Sequence, residues 1–149
     1  MKTTMRNLFA ALGLGAVLIA GSAGPLSAQV DVVAERITSM KQISKAAKEM
    51  RNAAKAGDKA SAIAAAKKIA ALGEKVPAMF QIGTDRERIG AEKTRAKMEI
   101  WNKWNDFTQA NNAMIAGANK VAGGDLAAAG EIGRTCGGCH KPFRGPKAK

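Results

Sequence analysis

The sequence predicts an all-α fold, an antiparallel four-helix bundle, and three observations carry that prediction. The composition is rich in Ala, Lys and Met and contains no Tyr, a balance that favours helices over strands. Apolar residues recur every three or four positions in several long segments, the spacing of one buried helix face. Breaks built on Gly and Asp fall between those segments so as to leave two short links and one long middle crossover.

Residues 1–28 read as a secretory signal peptide. Lys2 and Arg6 precede the apolar run Leu8 to Ala20, and a small-residue stretch follows, with cleavage expected after Ala28. The alternative is an uncleaved anchor, but the apolar run is shorter than the roughly 20 residues that span a bilayer. Residues 29–149 are then one domain with one core. Export places that domain in the periplasm.

The first helix is expected from Val30 to about Ala56, with Val33, Ile37, Met40, Ala47, Met50 and Ala54 on its apolar face. Gly57 stops it and Asp58 caps a second helix from Lys59 to Leu72, striped by Ile63, Ala66, Ile69 and Ala70. Gly73 interrupts that helix, and Pro77 opens a fresh turn that carries Met79 and Phe80 toward the core. Between Gln81 and Lys97 the pattern fades into charged residues broken by Gly83 and Gly90, which reads as a surface crossover. A third helix runs from near Glu99 to Gly123-Gly124 and carries Trp101, Trp104, Phe107, Met114 and Ile115. Asp125 caps a fourth, Leu126 to about Phe143, in which Pro142 weakens the last turn.

That fourth segment contains the residues with chemistry: Cys136-Gly137-Gly138-Cys139-His140, the C-x-x-C-H pattern of covalent c-type haem attachment. At about 100° per residue, Cys136, Cys139 and His140 fall in one sector of a helix. Two thiols can add to the vinyl groups of one porphyrin while the adjacent imidazole takes the iron. The alternatives are a redox dithiol, which calls for a βαβ context, and half of a zinc site. The chain has no further Cys or His to complete the latter. Gly130 and Gly133 cost about 1 kcal/mol each in a helix interior, which points to a flat group approaching the backbone. The expected cofactor is one covalent haem c with its iron.

The net charge is +12, and loss of Lys2 and Arg6 with the signal peptide lowers it by two to +10. Such a surface attracts acidic partner proteins, and less so at high salt. Nucleic acid is the other partner a basic chain could take, and export argues against it. No membrane span is expected after signal cleavage. Nothing here resembles an enzyme's residue set: the single His is committed to iron, and neither a Ser-His pair nor paired carboxylates can be assigned.

In order, these features resemble the class II cytochromes c, the cytochrome c prime family. The resemblance rests on C-x-x-C-H near the end of the chain followed by Phe143-Arg144, on Arg36 with Met40 four residues on, and on Pro77-Ala78-Met79-Phe80. Glu99-Ile100-Trp101 and Gly133 add to it. It implies His140 as proximal ligand, Arg144 near the proximal face, Arg36 paired with a haem propionate, and Met40 facing the iron opposite the histidine. Without it, Arg36 reads equally as a solvated surface charge. Periodicity alone does not choose among Met40, Met50, Met79, Met98 and Met114. The family also implies that two bundles can pair as a homodimer through their first helices.

The sixth iron position decides the function. In low-spin members of the family a Met at this point is the ligand, whereas some high-spin members leave it unbound. The expectation taken forward is a single-haem electron carrier with His140 and Met40 as axial ligands. The alternative is five-coordinate iron binding nitric oxide or carbon monoxide, and a basic structural or nucleic-acid-binding protein without haem is the third reading.

Overall fold

A computed structural model describes residues 26–148. The expected signal peptide therefore lies outside the described residues except for Leu26–Ala28, which are already helical. Four long helices make the bundle: α1 (Leu26–Lys55), α2 (Lys59–Lys75), α5 (Trp104–Ala122) and α6 (Ile132–Phe143). Two single turns of helix, α3 (Arg86–Ile89) and α4 (Glu99–Asn102), lie in the middle connection. Among the described residues there is no strand and no helix long and apolar enough to cross a membrane.

The α1–α2 link is short because Gly57 takes φ +74°, a conformation that costs glycine little. Asp58 then accepts a hydrogen bond from the Ser61 amide at 3.0 Å, the N-cap read from the sequence. Alanines Ala46 and Ala47 on α1 and Ala62, Ala65, Ala66 and Ala70 on α2 are buried and let the two backbones come close. α2 packs in turn on α5, and α5 on α6. α1 hardly touches α6 directly, and the 3-10 turn Leu126–Gly130 bridges α1 and α5 instead.

Three boundaries differ from the sequence reading. α2 runs through Gly73 to Lys75, because Gly73 faces α5 rather than ending the helix. The third expected helix is broken at Lys103 (φ −126°, ψ 48°) into α4 and α5. The fourth begins as a 3-10 turn, so that α6 starts only at Ile132. Ile37, expected on the buried stripe, is 40% exposed.

At Gly73 a Cβ would lie 2.7 Å from Ile115 Cγ1 and 3.1 Å from Met114 Cε, and its carbonyl accepts from Asn111 Nδ2 at 3.0 Å. Gly73→Ala gains helix propensity of about 1 kcal/mol but must push α5 away, so the net expectation is a loss of about 1–2 kcal/mol. A urea titration with a midpoint at or above that of the parent would contradict this.

The middle connection is not a solvated crossover. Thr84, Asp85 and Thr94 are buried within it. Asp85 Oδ1 caps α3 through the Arg88 amide at 2.9 Å, and its Oδ2 faces Arg88 Nε at 3.6 Å. The far end of the connection grips the chain after α6. Ala96 and Arg144 form an antiparallel bridge, the Lys97 amide donates to Phe143 O, and Arg95 Nε donates to Gly145 O at 2.7 Å. Lys97 Nζ reaches Pro142 O and Arg86 reaches Pro146 O, both at 3.0 Å.

Candidate haem site

Cys136, Cys139 and His140 occupy one sector of α6, each half-buried, with both thiols against the hydrophobic core. Cys136 and Cys139 form no disulfide with each other. Burial pushes the Cys139 thiol up to about 11, with Cys136 adding to the effect, and burial also raises Cys136 against the opposing charge of Arg51. A redox dithiol needs the reverse, a thiol acidified at a helix start or by cations. No group of three or more Cys, His, Asp or Glu among the described residues is arranged to hold a bare metal ion, so a zinc site lacks its ligands.

A porphyrin fits the same residues. The thiols sit side by side on an apolar face, and His140 lies one residue beyond. A Cβ at Gly130, Gly133, Gly137 or Gly138 would meet no protein atom within 4 Å, so nothing in the protein itself demands glycine along this stretch. The His140 imidazole is held below its usual pKa by burial first, then by the charges of Arg144 and Arg95. Both effects favour the neutral form, the one that ligates a metal.

Across the bundle, Arg36 and Met40 stand one turn apart on α1. Met40 is half-buried and packed against the core. Arg36 is only 3% exposed, which excludes the surface-charge reading. Its guanidinium donates to Met79 O, Thr84 Oγ1, Thr84 O and Thr94 Oγ1 at 2.7–3.3 Å, and it stacks 4.6 Å from the Phe80 ring centroid. Desolvation lowers its pKa to about 10, so it remains a cation at neutral pH. These hydrogen bonds tie α1 to both ends of the middle connection.

Phe80 also packs on Phe107 at 4.7 Å, and Phe107 meets Trp104 at 5.4 Å and Phe143 edge-on at 5.5 Å. Trp101 Nε1 donates to Phe80 O at 3.1 Å. The tryptophans and phenylalanines of the sequence reading are therefore one aromatic cluster joining the middle connection, α5 and α6.

Arg144 lies past the end of α6, in extended conformation (φ −113°, ψ 120°), because Pro142 weakens the last turn and the bridge to Ala96 pulls the chain away. Arg144, Lys141, Arg95 and His140, with Gly137 and Gly145, line a groove of about 340 Å³. The sequence reading missed Arg95 and Lys141 here, as it missed Thr84 and Thr94. In the sequence only Lys141 and Arg144, just after the C-x-x-C-H segment, hinted at the groove.

Comparison with known proteins places these features. The family model described as Cytochrome C' matches residues 31–144. Cytochrome c' of Pararhodospirillum photometricum is 38% identical over 87 residues, 53% of this chain and 66% of that protein. The protein of the same name from Rhodospirillum rubrum is 38% identical over 87 residues, 53% and 56% of the two chains. The match thus spans less than two thirds of either curated relative. The structure of cytochrome c' from Rhodobacter sphaeroides superposes with a TM-score of 0.68 at 25% identity, over 80% of this chain and 98% of that one. The nitric oxide complex of a point mutant of cytochrome c prime from Alcaligenes xylosoxidans gives 0.66 at 23% identity, over 79% and 97%. With its four-helix bundle and its C-x-x-C-H segment on the last helix, the chain belongs to the cytochrome c' family, whose members carry covalently attached haem c.

Proposed function

We propose that this protein is a five-coordinate haem c protein that binds a small gas, nitric oxide or carbon monoxide, and does not use Met40 as a sixth ligand. The observation that carries this reading is the setting of Met40. Its side chain is half-buried and packs against the apolar core, one turn along α1 from the buried Arg36 that fixes the helix there. A thioether held this way serves as an apolar wall that excludes water and polar ligands from the iron's second face. His140, the only imidazole in the chain, supplies the first face. Bound haem c supplies the iron that takes the gas, while the chain attaches, orients and shields it. This reading replaces the His140/Met40 electron carrier expected from the sequence. A point mutant of cytochrome c prime from Alcaligenes xylosoxidans, which shares the fold, was solved as a nitric oxide complex.

The same reading places the mature domain in the periplasm, its basic surface facing acidic redox partner proteins that keep the iron reduced. It assigns the chain binding rather than catalysis. Ile37, exposed on α1, is the apolar residue that pairing of two bundles through their first helices would cover.

The test is an absorption spectrum of reduced haem-loaded protein before and after carbon monoxide. The expected result is a high-spin spectrum that shifts on addition of the gas. Met40→Ala should keep the spin state, admit gas faster, and cost about 1–2 kcal/mol, less than the loss of a fully buried Met. Refusal of carbon monoxide by the parent, together with its acceptance by Met40→Ala, would establish Met40 as a ligand and overturn the proposal.

A further inference from the structure

Among the described residues, the groove beside His140 is lined by cations with no carboxylate beside them. These are Arg95, Lys141 and Arg144, and none of the three forms an ion pair among the described residues. Their own chain offers them little. Four carbonyls around the end of α6, which would otherwise attract cations, are already taken. His140 O accepts from the Arg144 amide, Pro142 O from Lys97 Nζ, Phe143 O from the Lys97 amide, and Gly145 O from Arg95 Nε. That last bond fixes the Arg95 side chain while sparing its terminal nitrogens, and the bridge to Ala96 sets Arg144 in place. Two guanidinium forks and an ammonium therefore share one open groove, the donor set that suits an oxyanion.

His140 lines the same groove, and its side chain donates to no protein acceptor among the described residues. A metal-bound histidine almost always gives its second ring N–H to a carboxylate, a carbonyl or water, and that partner raises its strength as a ligand. We propose that the groove of Arg95, Lys141 and Arg144 binds an oxyanion, either free or as a carboxylate of an acidic partner protein, which accepts the second N–H of His140 and so tunes the iron from the proximal side. The inference rests on His140 as the proximal ligand and not on an open sixth position. Refusal of carbon monoxide would end the gas-binding reading and leave this one standing.

The experiment uses the haem-loaded protein at constant ionic strength, titrated by calorimetry with potassium phosphate in one arm and hexaglutamate peptide in the other. Resonance Raman spectroscopy of the reduced protein follows the iron–histidine stretch. Saturable binding in either arm with a shift of that band is the expected result. The phosphate arm identifies a free oxyanion, and tighter binding of the peptide identifies a protein carboxylate. Arg144→Gln and Lys141→Gln should each weaken binding about tenfold, the loss of one charge-assisted contact. Lys141 is exposed and makes no hydrogen bond among the described residues, so Lys141→Gln tests the groove even if Arg144→Gln loosens the chain end. Arg134, paired with Glu131 at 2.8 Å, lines no part of the groove, and Arg134→Gln should change nothing. Failure to saturate in both arms, or equal binding by Lys141→Gln and the parent, overturns the inference.

Discussion

Replacing Arg36 by methionine should destabilise the protein by about 3–5 kcal/mol, a large part of the roughly 5–15 kcal/mol that holds a domain of this size together. The side chain is buried, and its removal strips four acceptors at once: Met79 O, Thr84 O, Thr84 Oγ1 and Thr94 Oγ1. A hydrogen bond to a charged group contributes about 1.5–3 kcal/mol, and a buried acceptor left unpaired costs a further 1–3 kcal/mol or so. The four are too close together to add in full. Arg36→Lys should recover little, since one ammonium cannot match a planar fork that reaches both threonines and stacks on Phe80. Denaturant titration gives the size of the loss. Hydrogen exchange gives its place, with protection falling first across residues 81–97. A loss below about 1 kcal/mol, or exchange that speeds up elsewhere, would show that Arg36 does not anchor the middle connection.

The second large effect belongs to the thiols. Cys136→Ser with Cys139→Ser should give a polypeptide whose mass carries no haem, with reduced helix content by far-ultraviolet circular dichroism. α1 and α6 are joined through the Leu126–Gly130 turn rather than by packing on each other, and many of the core side chains of α1 and α2 are alanines. A group thioether-bonded to α6 therefore supplies apolar contact that the side chains do not. Each single variant should retain one thioether and an intermediate stability. A double variant that keeps both the haem mass and the parental melting temperature would refute the attachment site.

The helices and the attachment motif were legible in the sequence because both are local signals. Asp58 and Asp125 cap where expected, with bonds to the Ser61 and Ala128 amides. Val33, Ala47, Met50, Ala66, Ile69 and Met114 are buried as their spacing implied. The C-x-x-C-H spacing needs only one helix to place three side chains together. What stayed hidden was the middle connection. Thr84 and Thr94 stand among charged residues with no period, and their burial follows from one arginine on a distant helix. Arg95 and Arg144 share a groove only because residue 96 happens to pair with residue 144. Helix ends were misread for a related reason. Gly73 looks like a stop in one dimension, whereas in three it is the point where a neighbouring helix comes too close for a side chain.

The grip of the middle connection on the chain beyond α6 also bears on the order in which the molecule comes together. Its hydrogen bonds join residues 45, 50 and 60 positions apart, whereas each helix closes over four. Distant pairings bear the entropy of loop closure before they return anything, so the helices form first and this latch last. The latch holds residues 142–146, directly beyond the attachment helix, so loss of its hydrogen bonds should free the chain end while leaving Cys136–His140 helical.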